Sequence, residues 1–255
     1  FSLRHKKRLY LNRKVFGNAC MHRTLIALLK KVDIRYVYGF MEVFIIPVAM
    51  LFSPGARFAY QYFRKRRGQG CLKALLSTYR NHCLFGQTVI DKFAMFAGRE
   101  FDIHSKGQDY YYQHVKKDQP IIMLHAHIGC SEIAGYNLSQ SKPCNVLVYG
   151  GEKKDFMEYR KNKFAQMGFK LIPVGTGDVD IMDIVDCLDR GEALSVFADR
   201  FSNPKKVIQS KIHGFKVNLS RGPFSLAVNR GIDVYMVSAM KMKDGSYDGR
   251  ITFLD

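Results

Sequence analysis

Residues Ile121–Tyr136 read IIMLHAHIGCSEIAGY, and the reading of this stretch decides the fold. Ile121, Ile122, Met123 and Leu124 form a short apolar run behind Pro120, which suits a strand. His127, Gly129 and Glu132 follow, and from Gly129 onward the residues read as the start of a helix. A histidine at the carboxyl end of a strand, with a carboxylate one helical turn further on, is a way to build a general base. The strand edge fixes the imidazole. The carboxylate can hold the far ring N–H, select the tautomer and stabilise the imidazolium formed in a transition state. The spacing is His-x4-Glu, an HX4E pattern.

Working outward, residues past 100 alternate between strand-like and helix-like runs. Strands are expected at Ile121–Ala126, Asn145–Tyr149, Lys170–Val174, Ala193–Ala198 and Val234–Ala239. Helices are expected at Ser131–Leu138, Lys154–Met167, Val179–Asp189 and Pro223–Asn229. Gly168, Gly191 and Gly231 each follow a helix as a C-terminal stop, and Asp178 is placed to cap one at its start. The alternation implies an α/β fold with a mostly parallel central sheet flanked by helices. Ligands of such sheets collect at the carboxyl ends of the strands. His127, Tyr149, Val174-Gly175 and Asp199 all lie at or just past such ends.

The first hundred residues differ in kind. The chain of 255 residues carries 40 Lys+Arg against 22 Asp+Glu, a net +18. Residues 1–99 hold 19 basic and 3 acidic side chains, whereas residues 100–255 hold 21 and 19. The basic part is also apolar and aromatic, a pairing that suits an anionic membrane surface. Tyr36–Phe52, YVYGFMEVFIIPVAMLF, carries one charge, Glu42, and one proline, Pro47. Lys30, Lys31 and Arg35 precede it; Arg57 and the run Arg64-Lys65-Arg66-Arg67 follow. A bilayer span takes about 20 apolar residues, so an interfacial or re-entrant helix, a single span and a buried soluble helix all stay open. Two further helices are expected over 55–98, at Cys71–Tyr79 and Leu84–Phe96. The chain therefore divides into a basic helical membrane-associating region, 1–100, and an α/β domain, 101–255. It opens on Phe and closes inside the strand-like run ITFLD, so it reads as part of a longer chain.

Composition also excludes. No zinc knuckle, RNP-type aromatic signature or Gly-rich KH loop accompanies the positive charge, so nucleic acid is not the expected partner. The six cysteines form no CxxC pair, which points to reduced thiols rather than a zinc site or disulfide framework. His125-Ala126-His127 could begin a metal site. The acidic residue expected two positions later is replaced by Gly129 and the only later histidine is His213, so no metal is expected.

Two more constellations lie in the α/β part. Phe197-Ala198-Asp199-Arg200 ends a strand and leads into the basic loop FSNPKKVIQSK. Asp199 can position a hydroxyl or hold Arg200, and Arg200, Lys205 and Lys206 can take a phosphate. Ser220-Arg221-Gly222-Pro223 opens a helix, with Ser220 as its cap and an N-terminus that favours an anion.

On these residues the chain resembles the lysophospholipid acyltransferase superfamily, and within it the lipid A late (lauroyl/myristoyl) acyltransferase branch. The resemblance rests on the strand-His127-x4-Glu132 block, on YRNHCLFGQTVIDKFAMFAG, on GEALSVFADR and on HGFKVNLSRGPFSLAVNRGIDVYMVSAM, and runs over roughly residues 15–254. It departs from the branch at Val148-Tyr149-Gly150-Gly151-Glu152, where a Tyr-Arg-Pro setting is usual. It departs again after His127, where Ile-Gly-Cys-Ser stands for Gly-Asn-Trp. The resemblance implies a glycerol-3-phosphate acyltransferase-like fold at the cytoplasmic face of a bacterial inner membrane, peripheral, monotopic or single-span. It implies transfer of a fatty acyl group from acyl carrier protein or coenzyme A thioester to a lipid hydroxyl or amine, with lipid A biosynthesis as the leading setting. An amino-acid lipid, a lysophospholipid or a pigment head group is the alternative acceptor, and a non-catalytic basic membrane-binding protein the alternative role. His127 would be the general base and Glu132 its partner. Asp199, Arg200, Ser220, Arg221 and Gly222 would bind the acceptor, and no cofactor is needed beyond the thioester co-substrate.

Overall fold

The side chains of Ile121–His125 are buried without exception, and they alternate between two cores. Ile121 and Met123 join one hydrophobic cluster and Ile122 and Leu124 another, as the period-2 geometry of a strand requires. A strand apolar on both faces belongs in the middle of a sheet covered by helices on each side. The computed structural model describes residues 19–139, 141–150, 154–166, 168–174, 181–201, 203–212 and 214–254.

In chain order the strands are β1 (Ile103–Lys106), β2 (Ile121–His125), β3 (Cys144–Tyr149), β4 (Phe169–Val174), β5 (Ala193–Phe197), β6 (Val207–Ile212), β7 (Phe215–Ser220), β8 (Asp233–Lys241) and β9 (Tyr247–Leu254). Seven of them form one sheet in the order β1-β9-β8-β2-β5-β3-β4. Every pairing is parallel except β8 with β9. β6 and β7 stand apart as an antiparallel hairpin. The expected α/β class and mostly parallel sheet are therefore present, with all five expected strands within two residues of their observed bounds. β1, β6, β7 and β9 were not expected. β1 has only four residues, β6 and β7 carry lysines among their apolar positions, and Gly249 interrupts β9.

The helices are α1 (Ala19–Leu29), α2 (Ile34–Phe52), α3 (Pro54–Gln61), α4 (Cys71–Phe96), α5 (Gln108–His114), α6 (Ser131–Ser139), α7 (Lys154–Ala165), α8 (Ile181–Asp189) and α9 (Gly222–Arg230). Gly168, Gly191 and Gly231 adopt left-handed backbone after α7, α8 and α9, as the stop signals imply. The expected cap at Asp178, the position Gly175 and His213 lie outside the described residues.

The region 55–98 differs from expectation. One helix of 26 residues, α4, covers both Cys71–Tyr79 and Leu84–Phe96. The intervening Arg80-Asn81-His82-Cys83 contains neither Gly nor Pro, so nothing ends the helix there. Gly86 is tolerated inside it because Met41 of α2 lies against the bare backbone, where a Cβ would collide with its sulfur.

Within α2 a π-helical turn spans Met41–Ile45, and the Ile46 N–H donates to the Met41 carbonyl five residues back. Pro47 follows immediately. Proline has no N–H to give and crowds the preceding turn, and a widened turn relieves both effects. One side of α2 packs through Ile34, Met41 and Ile46 on Cys83, Ile90 and Ala94 of α4. The rest is open: Phe44, Leu51 and Phe52 are 61%, 73% and 81% exposed. α2 is thus not a buried core helix, and it is long and apolar enough to cross a membrane.

α2 and α4 are fastened to the sheet by a buried polar cluster that sequence reading did not detect. Asp91 of α4 forms an ion pair with Lys241 of β8 and accepts from the hydroxyls of Tyr38 and Tyr247. Lys241 Nζ also donates to Tyr38 Oη at 2.9 Å and lies over the Tyr38 ring. A buried carboxylate needs this many partners to remain buried. Burial, with the adjacent Asp91 charge, raises the Tyr38 and Tyr247 hydroxyls well above the usual phenol range, so both stay donors.

Candidate functional site

Residues 126–130 connect β2 to α6 at the carboxyl edge of the sheet. Gly129 takes φ 68, and a Cβ there would run into the Ala239 carbonyl. That close approach lets the Cys130 N–H donate to Ala239 O at 2.9 Å, which clamps the loop to β8. The Ile128 N–H donates to Ala126 O at 2.7 Å and tightens the turn about His127.

On the other side of β2 lies β5. The register pairs His125 with Phe197, so two residues further along the parallel strands His127 faces Asp199. One carboxylate oxygen of Asp199 accepts the His127 backbone N–H at 2.8 Å, and the other lies 2.8 Å from His127 Nδ1. The bidentate hold fixes both main chain and ring. It makes Nδ1 the protonated nitrogen and leaves Nε2 to exchange a proton. The ring also packs on Phe197, centroid to centroid 4.2 Å. The pair is partly open to solvent, with the side chains of His127 and Asp199 37% and 33% exposed.

A comparison with models of protein families finds no match, and a comparison with curated proteins finds none either.

Glu132 is placed differently from the expectation. Its carboxylate does not hold His127; it forms an ion pair with Lys92 of α4 and accepts from Ser131 Oγ at 3.1 Å. Burial pushes the Glu132 carboxyl up, but the Lys92 charge and hydrogen bonds outweigh it and hold the group down at about 2. Glu132 lines a cavity of about 60 Å³ together with Met123, His125, Ser131, Val146 and Phe197. The physical reason is that α6 begins only at Ser131, and its first turn carries Glu132 over the helix-covered face of the sheet, towards α4. A step of five residues along the chain does not bring Glu132 to the ring; the neighbouring strand supplies the carboxylate instead.

His125 belongs to the interior. It is buried, and burial lowers its imidazole to about 4, against a backbone hydrogen bond with Val237 and the charge of Glu132 that act the other way. Its Nδ1 has no hydrogen-bond partner among the described residues. No cluster of three or more metal-binding side chains occurs among the described residues. Cys130 is also buried, and burial together with the Glu132 charge pushes its thiol up to about 12, which unsuits it as a nucleophile.

The remaining candidates gather beside Asp199. The Ser220 N–H donates to Ala198 O at 2.7 Å, so the end of β7 lies against the end of β5. Arg221 follows and gives its N–H to Lys206 O at 3.1 Å, and Arg200 is exposed next to Asp199. Ser220 does not cap α9, contrary to expectation. Arg221 occupies the cap position and no side chain caps the helix. Ser220 is the last residue of β7 and its backbone is committed to β5, so Gly222 and Pro223 open the helix one residue too late for its hydroxyl.

The loop amides bear on how a developing negative charge would be met. Those of His127, Ile128 and Cys130 are committed to Asp199, Ala126 and Ala239. The arrangement can therefore take a proton from a hydroxyl or amine at His127 Nε2, return it to a leaving group, and stabilise the imidazolium between the two steps. Sequence reading placed Asp199 at a strand end but not as the partner of His127, and it did not single out Lys92. The usable signal for Asp199 was its position just past an apolar strand, the same position that His127 holds.

Proposed function

We propose that this protein is a membrane-associated acyltransferase that moves a fatty acyl group from an acyl thioester to the hydroxyl or amine of a lipid. The observation that carries the proposal is the His127–Asp199 pair at the carboxyl edge of two central parallel strands. The acceptor O–H or N–H gives its proton to His127 Nε2 as its heteroatom attacks the thioester carbonyl. The tetrahedral intermediate then expels the thiolate, which takes the proton from the imidazolium. An ester or amide and a free thiol result, and the base is restored. Positioned base catalysis of this kind contributes about 10²–10⁴-fold.

The reading assigns Asp199 the role first given to Glu132. Glu132, with Lys92, becomes a support of the α6 start beneath the dyad. Arg200, Ser220, Arg221 and Gly222 stay as acceptor-side residues, in keeping with a headgroup that carries phosphate. The donor is acyl carrier protein or coenzyme A thioester, and no cofactor takes part in the steps. The fold is read as glycerol-3-phosphate acyltransferase-like, and the acceptor as lipid A or another outer-membrane lipid.

The exposed apolar face of α2, with Lys30 and Lys31 before it, Arg35 in its first turn and Arg57 after it, supports attachment to anionic lipids. The cytoplasmic face of a bacterial inner membrane is the setting that this attachment and a thioester donor share. The test is acyl transfer by purified protein given a labelled acyl thioester and a total lipid extract. Loss of transfer in His127→Ala, with unchanged folding, is expected. Transfer that survives this change removes His127 as the base, and no transfer by the unaltered protein to any lipid leaves a binding protein. Mass spectrometry of lipids from a deletion strain then identifies the acceptor.

A further inference from the structure

We infer that the β6–β7 hairpin is a second membrane contact, which lays its tip on an anionic bilayer beside α2 and α3. The inference rests on the membrane reading above and adds a surface to it.

The hairpin projects from the body of the protein. It pairs with no strand of the main sheet, and its side chains are exposed or half-exposed throughout. A lone two-stranded hairpin is marginal in water, so its fastenings matter. At its base the Ser220 N–H is bonded to Ala198 O and the Arg221 N–H to Lys206 O. Near its tip the Arg66 guanidinium lies 4.1 Å from the Phe215 ring centroid. That contact joins the hairpin to the π-helical turn Tyr62–Arg66, which carries Arg64, Lys65 and Arg66 directly after α3.

Two features of the tip name its partner. In the hairpin register Ile212 stands opposite Phe215, and these side chains are 53% and 40% exposed. One step further in, Lys211 stands opposite Lys216. Like charges directly opposite on paired strands repel and weaken a hairpin. An anionic layer around the ammonium groups turns that repulsion into attraction. From Arg200 to Gly231 the chain has seven basic residues and no acidic one, and Arg64–Arg67 add four more beside the tip. Exposed apolar side chains at the tip with cations behind them match the depth profile of a bilayer interface, apolar below and phosphate above. Phe58 of α3 and Tyr62, at the start of the turn that Arg66 closes, are likewise exposed.

The consequence reaches the dyad. The base of the hairpin is bonded to Ala198, the residue before Asp199. A hairpin that rests on lipid sets the carboxyl edge of β5, and with it His127–Asp199, at a defined height above the headgroups.

These 255 residues contain no Trp, so Phe215→Trp gives this chain a single indole at the tip. Phe44→Trp does the same on the exposed face of α2. Each is mixed with vesicles of phosphatidylcholine with about 30 mol % phosphatidylglycerol and brominated acyl chains. Quenching and a blue shift are expected at both positions. Replacement of Lys211 and Lys216 together by Gln should weaken vesicle binding on the order of 10-fold, with folding unchanged. Quenching at 44 without quenching at 215 overturns the inference, leaves the membrane reading intact and turns the hairpin over to a soluble acidic partner. Quenching at neither position removes both. Equal quenching at 215 on purely neutral vesicles overturns the role given to the lysines.

Discussion

Replacement of Asp199 by Asn separates the two carboxylates that compete for the role of partner to His127. The amide has nearly the same shape but only one accepting oxygen, so it keeps either the backbone N–H or Nδ1–H as a partner and turns its NH2 towards the other. The negative charge is lost. Between a carboxylate and an imidazolium with charge centres about 4 Å apart, attraction is worth about 1 kcal/mol in water and about 4 kcal/mol at a dielectric near 20. The pair is about one-third exposed, so solvent screening holds the value in the lower part of that range, about 1–3 kcal/mol. All of it bears on the step that protonates the imidazole. Asp199→Asn is therefore expected to lower kcat for transfer from a labelled acyl thioester by at least about 10- to 100-fold, the lost Nδ1–H acceptor adding to the lost charge, with KM little changed and the thermal transition retained. Glu132→Gln serves as the comparison. Its carboxylate is paired with Lys92 and touches no atom of His127 in the hydrogen-bond pattern, so its effect is expected on stability more than on kcat. The reverse outcome, a full kcat loss in Glu132→Gln with Asp199→Asn near unaltered activity, would refute the assignment.

Two further outcomes concern stability. Lys241→Met leaves the Asp91 carboxylate buried without its cation and is expected to cost about 3–5 kcal/mol, whereas Tyr247→Phe removes one hydroxyl donor and costs about 1–2 kcal/mol. Urea unfolding measures both, and a Lys241→Met loss below 1 kcal/mol contradicts the role given to this cluster. Glu132 predicts an acid limb. Its folded carboxyl lies at about 2 against an ordinary value of 4.5, so its stabilisation is complete above about pH 4.5 and fades as pH falls towards 2. The full effect is on the order of 2–3 kcal/mol. Chemical denaturation across pH 2–6 should show a shallower slope in Glu132→Gln than in the unaltered chain, and identical slopes would count against the Lys92 pairing.

Local chemistry made much of the fold legible. Apolar runs such as Ile121–Leu124 and Ala193–Val196 have one stable use in a chain of this kind, as strands covered on both sides, and glycines at 168, 191 and 231 mark where helices stop. The same reasoning located His127 and Asp199 separately, each just past an apolar run. The hairpin and β9 escaped it, because their strands mix charges, glycine and apolar residues and are defined by their partners rather than by their own composition.

Which carboxylate stands behind the imidazole was decided only in three dimensions. The order β8-β2-β5-β3 places β5, not the next strand in sequence, beside β2, and the parallel register His125 with Phe197 carries His127 to Asp199 across 72 residues. Sequence spacing made Glu132 the natural choice, since residues a helical turn apart are close in any chain. Sheet order depends on the packing of all the strands and helices together, and no single stretch of residues contains it. The amino-acid sequence by itself determined that a histidine would end a buried strand; the tertiary structure selected its acid, and gave Glu132 to Lys92 because α4 lies over that face of the sheet.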